Sequence, residues 1–274
     1  MTAVRPTYVY GTAHSGTTIL YKILALHPDF AWFSQYSHRD GAVPGRRSTP
    51  LANVADRALR PLTTHDWHKE SRGLRRRLIP RPGESHGILG YVVSAPTTAE
   101  AASRLRRLVD EECRRWRRTA FIAKPLPMMG HLDILKAAHP NATLVHIVRD
   151  GRAIAASIRE KFMRSGESSH EGVLQAAARW LDVLDEVERL DLPVLTLRYE
   201  DFCDDVRGGV RRALEHAGLD EDRFPFSGIP QRLTVTNQRR LQQLEGGELE
   251  AVQAMQAPAL ERLGYLDASP QPAD

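Results

Sequence analysis

The chain has 274 residues, 42% of them apolar, a length that suits one sizeable α/β core and sets a single domain as the expectation. Its formal net charge is only +4, and just five of 38 basic residues are lysine (Lys22, Lys69, Lys124, Lys136, Lys161), an arginine bias that genome base composition explains as readily as selection for anions, so nucleic acid is not an expected partner. The chain shows no charged-then-apolar leader, no run of about 18 apolar residues, and only two cysteines, far apart at Cys113 and Cys203, so a soluble, reduced, cytoplasmic protein without stable membrane insertion is expected.

The first element is the most informative. Val9-Tyr10-Gly11-Thr12-Ala13-His14-Ser15-Gly16-Thr17-Thr18-Ile19-Leu20 reads as strand, tight loop and helix. Gly11 and Gly16 remove side chains where the backbone bends, and the amides of Ser15 to Thr18 then converge from a helix N-terminus on one spot, which suits an anion and usually a phosphate. The glycine spacing is that of a nucleotide P-loop, but Thr17 and Thr18 stand where the ATPase pattern requires Lys and then Ser or Thr. A different phosphate ligand is therefore expected, against the plainer alternative of a Gly/Thr-rich turn in an ordinary α/β protein.

The helix that follows stops at His27-Pro28-Asp29. Residues 30–50 have no clean period and read as an excursion over the mouth of the site. In the weaker stretch to Pro96, ANVADRALR and THDWHKESRGLRRRL read as helices and GILGYVVS as a possible strand; residues 31–96 are expected to form a substrate-facing insertion. A helix begins at Thr97-Thr98-Ala99-Glu100 and runs to about Arg117, and Ala120–Ala123 is a strand that delivers Lys124-Pro125-Leu126-Pro127. Helix 131–138, strand Thr143–Val148, a helix entered through Arg149-Asp150-Gly151-Arg152, helix 171–190, strand Leu192–Leu197 and a helix to Gly218 come next. From Phe224 the chain reads as loop until a helix over Glu248–Leu263, and residues 268–274 are expected to be a disordered tail. Such alternation predicts an α/β fold of three α/β/α layers around a central parallel sheet.

A second oxyanion cradle is suggested at Arg149, which ends a buried strand, with Ser157 eight residues on, about two helical turns along the next helix. An arginine fork with a hydroxyl suits a dianionic phosphate, the alternative being an arginine paired with Asp150 at a helix start.

The pattern of His14-Ser15-Gly16-Thr17-Thr18 after Gly11 resembles the 5′-phosphosulfate loop of the sulfotransferases that use 3′-phosphoadenosine-5′-phosphosulfate (PAPS), and IVRDGRAIAAS resembles their 3′-phosphate segment. HPDF, KPLP, AARW, RYEDF and LGY are similar to stretches of the bacterial and carbohydrate-type branch, so the likeness spans nearly the whole chain, loosely over 31–96. The resemblance implies a P-loop-containing, sulfotransferase-like architecture over 1–274, with PAPS as co-substrate, PAP as product and no metal. It assigns Gly11, His14, Ser15, Gly16, Thr17 and Thr18 to the 5′ side of the donor and Arg149 and Ser157 to its 3′-phosphate. Arg239 and Arg240, in a segment like the family's basic closing segment, are further candidates for that phosphate or else a solvated charge pair.

Sulfuryl transfer moves a group in line between two oxygens, so positioning and charge stabilisation supply most of the catalysis. Where the family places Lys or Arg this chain has His14, an imidazole whose charge near neutral pH is conditional. Lys124 is the candidate second cation. Some relatives carry a glutamate base where this chain reads Phe33-Ser34-Gln35-Tyr36, and His38 is the favoured substitute among His38, Asp40, His65, Asp66 and His68. Trp32, Phe33, Tyr36 and Trp67 suit either a pocket for a small-molecule, glycan or glycolipid acceptor or the core. Two other functions remain open at this level: a Mg²⁺-dependent nucleotide kinase or NTPase, which the absent loop lysine opposes, and a PAP-binding homologue with weak turnover.

Overall fold

The computed structural model describes residues 4–34, 82–83, 86–125, 128–165 and 170–266, with 160–165 described in backbone only. In chain order the elements are β1 (Arg5–Tyr10), α1 (Thr17–Leu24), β2 (Phe30–Ala31), α2 (His86–Val93), α3 (Thr98–Trp116), β3 (Ala120–Ala123), α4 (Asp133–Ala138), β4 (Thr143–Val148), α5 (Gly151–Ser165), α6 (His170–Glu188), β5 (Val194–Arg198), α7 (Tyr199–Asp204), α8 (Val206–Ala217), α9 (Asn237–Leu241) and α10 (Glu248–Arg262). The strands pair in parallel in the order β2-β3-β1-β4-β5.

β1 sits in the middle and is buried from Pro6 to Tyr10, as a parallel strand covered on both faces must be. Because successive side chains alternate, Tyr8 and Tyr10 enter one core with residues of α2, α3, α4 and α6, while Val9 enters the other with residues of α1 and α8. The expected α/β/α layering is thus present. Trp180 of α6 and Leu260 of α10 share a smaller core with Val148 of β4, which fastens the last helix to the sheet.

The strand order places the crevice. From β1 the chain goes to β2 and returns to β3 on one side, whereas from β4 it goes to β5 on the other. Between the C-terminal ends of β1 and β4 the connections diverge, the switch point at which open α/β sheets bind ligands. Both predicted cradles start there.

Several local expectations change. GILGYVVS lies mostly in a helix, His86–Val93, not a strand: its apolar run is too short for periodicity to decide, and burial of Ile88, Leu89 and Val92 against α3 settles it. Phe30–Ala31 is the edge strand β2, too brief to carry an alternation signal, and Trp32 and Phe33 are core residues at 3% and 2% exposure. The helix after β5 is two helices, because the Asp205 carboxylate accepts the Gly208 amide at 2.8 Å and starts a new one. A short helix, α9, interrupts the stretch read as loop after Phe224. His38, Tyr36, Trp67 and the tail 268–274 lie outside the described residues.

Candidate active site

The loop after β1 needs both glycines, for different reasons. A Cβ on Gly11 would lie 2.4 Å from the Ile147 carbonyl oxygen, so the loop can lie against β4 only without a side chain there. Gly16, at φ 94°, caps α1 from the left-handed region, and a Cβ on it would lie 2.5 Å from the ring of Tyr199. No side chain caps α1, so its first amides are not claimed by a capping residue. Ser15 is fully buried and turns inward: its amide and its hydroxyl both donate to the Thr12 carbonyl, at 3.2 and 2.7 Å. It shapes the loop. His14, exposed, is one of two non-glycine residues at positive φ among those described, at 67°.

Lys124 supplies from the neighbouring strand the cation that the loop lacks. It leaves the end of β3 only 3% exposed, and its ammonium donates to the Thr18 hydroxyl. The contact places positive charge beside the first turn of α1.

At the end of β4 the expected alternative of an Arg149–Asp150 pair is not what forms. Asp150 pairs with Arg152, whose Nε and Nη2 donate to it at 3.0 and 2.9 Å, and it caps α5 by accepting the Arg152 amide at 3.0 Å. Arg149, 6% exposed, bonds elsewhere. Its Nη1 donates to the His14 carbonyl at 2.8 Å, its Nε to Asn237 Oδ1 at 2.8 Å, and its Nη2 to Thr236 Oγ1 at 3.4 Å. The guanidinium lies 4.6 Å from the centroid of the Tyr199 ring, the same ring that packs on Gly16. Burial, and then a hydrogen bond with Cys203, push the Tyr199 phenol up to about 12, so it stays neutral. A guanidinium has five N–H groups, and three are committed here, leaving one on each terminal nitrogen.

Ser157 lies two turns along α5, 5% exposed, with its hydroxyl donating to the Ala153 carbonyl at 2.9 Å. Arg239 and Arg240 are on α9; Arg239 is exposed, and Arg240 donates to Gln243 Oε1 at 3.4 Å. The residues of that segment that do reach the crevice are Thr236 and Asn237, which sequence reasoning passed over. Their proximity to basic residues in TVTNQRR was the available signal. Among the described residues, no three His, Cys, Asp or Glu stand together as a metal site, and no helix is long and apolar enough to cross a membrane.

The structure resembles that of the sulfotransferase STF9 from Mycobacterium avium, with a TM-score of 0.58 and 18% identity over 99% of this chain and 79% of that one. It also resembles the sulfotransferase STF1 from Mycobacterium tuberculosis H37Rv, with a TM-score of 0.55 and 19% identity over 93% of this chain and 77% of that one. No curated protein matches the chain. In sequence, residues 6–223 match the sulfotransferase family. That match runs from β1 past α8 and takes in both turns at the switch point, and the chain belongs to the sulfotransferase family.

Proposed function

We propose that the protein transfers a sulfuryl group from PAPS to a hydroxyl or amine of a small-molecule, glycan or glycolipid acceptor in the cytoplasm, releasing PAP and requiring no metal. The observation that carries this reading is the junction of the two turns: Arg149, with one N–H left on each terminal nitrogen, is bonded to the loop that bears the α1 N-terminus. One anion at each turn suits a nucleotide phosphorylated at both its 5′ and 3′ positions, whereas a nucleoside triphosphate carries all its phosphates on the 5′ side.

In this reading the amides of Gly16 to Thr18 and the Thr18 hydroxyl hold the 5′ end of the donor. Arg149 takes the 3′-phosphate, the Ser157 hydroxyl turning from Ala153 to join it, with Arg239 and Arg240 at its outer side. The donor brings a sulfuryl group bonded to a phosphate oxygen. Negative charge grows on that oxygen as the group leaves, and Lys124 and a protonated His14 stabilise it. Residues 31–96 receive the acceptor, and His38 takes its proton.

Calorimetric titration with PAP, ATP and GTP, each with and without Mg²⁺, tests the donor. Tight PAP binding that is indifferent to Mg²⁺ is expected; ATP or GTP binding that exceeds it and strengthens with Mg²⁺ would make the protein a kinase or NTPase. A transfer screen from ³⁵S-PAPS to hydroxylated and amino acceptors tests turnover.

A further inference from the structure

We propose that Glu200 is a positioning residue for Arg149, acting through Asn237, and that Tyr265 holds Glu200 to that task; that this serves donor binding rests on the reading above. Glu200 stands in the first turn of α7 and is half-buried. Its carboxylate collects three donors: the Asp150 amide at 3.3 Å and Asn237 Nδ2 at 2.5 Å on one oxygen, and the Tyr265 hydroxyl at 2.7 Å on the other.

The chemistry of an amide gives this cluster a direction. A side-chain amide can face either way round, but a carboxylate only accepts, so Glu200 draws the NH₂ of Asn237 and turns its Oδ1 toward Arg149 Nε, 2.8 Å away. Glu200 also fixes the residue after Arg149 by its backbone. The arginine is thus held at both ends: at the guanidinium through Asn237 and at the main chain through Asp150. A guanidinium free to swivel would present its two remaining N–H groups in many directions, and an oxyanion would then bear the entropy of ordering it.

Tyr265 closes the relay from the far end of the chain. Its ring lies 4.5 Å from the Arg198 guanidinium, and its hydroxyl is 3.3 Å from the Val148 carbonyl as well as 2.7 Å from Glu200. With one proton to give, it serves the nearer carboxylate. Burial, together with Glu200, pushes this phenol well above its usual range, so it remains the donor at any working pH. A half-buried carboxylate is an expensive packing element unless its partners are fixed, and two of the three here, the Asp150 amide and Asn237, lead to the turn at Arg149.

The test uses the full chain with Glu200→Gln and Tyr265→Phe, the second being the milder change that remains usable if the first fails to fold. PAP dissociation constants are expected to rise about tenfold in E200Q and at least threefold in Y265F. In an Asn237→Ala background, where the arm to the guanidinium is cut and only the Asp150 amide still links Glu200 to the turn, each change should add less loss than it causes alone. Purely structural roles would give additive losses, and losses that add, or constants within twofold of the unaltered protein, overturn the proposal. A readout that needs no ligand separates this from the donor reading. The Arg149 Nε–H signal, identified in ¹⁵N spectra by its absence in Arg149→Lys, should exchange with water at least tenfold faster in E200Q and measurably faster in Y265F. If the unaltered protein does not bind PAP, the donor reading falls; exchange unchanged in both variants rejects the relay whether or not PAP binds.

Discussion

Arg149 donates through Nη1 to the main-chain carbonyl of His14 at 2.8 Å, across 135 residues of sequence. The bond ties the turn after β4 to the loop after β1, so whatever anion binds at either turn meets the charge of the same guanidinium. The Tyr199 ring, packed between that guanidinium and Gly16, gives the junction a rigid floor.

Replacing Arg149 therefore removes a charge and three hydrogen bonds together. Arg149→Ala is expected to weaken PAP binding about a hundredfold, about 2.7 kcal/mol, in calorimetry. Arg149→Lys should recover part of this, since an ammonium keeps the charge but cannot reproduce the fork. An alanine variant that binds PAP within threefold of the unaltered protein removes Arg149 from the donor site.

The Lys124–Thr18 pair calls for a different kinetic signature. If Lys124 acts on charge that grows during transfer, Lys124→Met should lower kcat about 10²–10³-fold while PAP affinity changes less than fivefold. Thr18→Val, which loses only the hydroxyl, should show the smaller effect on both. Single-turnover transfer from ³⁵S-PAPS beside equilibrium PAP titration gives the two numbers. An equal loss in both would mean that Lys124 only grips the ground state.

Much of this arrangement could be read from the residues, because it is local. The strand-loop-helix at Gly11–Thr18 and the strand end at Arg149 each carry their signal within a dozen residues, and buried apolar runs mark β1, β3 and β4 as parallel strands. What sequence reasoning leaves open depends on distant partners. Whether Arg149 pairs with Asp150 turns on Asn237, Thr236 and His14, which reach Arg149 from remote segments. Nor does local pattern distinguish His86–Val93 as a helix, since its short apolar run is set by burial against α3. The two-residue β2 is a strand only because β3 lies beside it.

Stability should fall on acidification through two buried histidines. Burial, and for His139 also Arg106, lowers the imidazoles of His139 and His146 to about 4, against 6.5 in an unfolded chain. The unfolded state binds their protons first as pH falls, so their contribution is complete above about 6.5 and is lost progressively toward about 4. Within that window each histidine adds a slope of up to about 1.4 kcal/mol per pH unit. Urea unfolding at intervals from pH 7.5 to 5 should show the decline, and His146→Leu should make it shallower. A slope that the substitution leaves unchanged would assign the decline to other groups.

His14 receives Arg149 by its backbone, and the catalytic role proposed for its side chain can be tested separately. Its carbonyl receives Arg149 from a left-handed conformation at φ 67°, which asparagine adopts more readily than most residues. His14→Asn should therefore keep that bond and bind PAP within threefold of the unaltered protein. If the proposed imidazolium stabilises the leaving oxygen, kcat should still fall at least tenfold. His14→Arg makes the charge permanent, and is expected to raise the rate above pH 7 and flatten its pH dependence, at a cost of about 1 kcal/mol in stability for a long side chain held at positive φ. Rates measured from pH 6 to 8 test that role. If His14→Asn turns over as fast as the unaltered protein across that range, the imidazole is idle and Lys124 alone meets the developing charge.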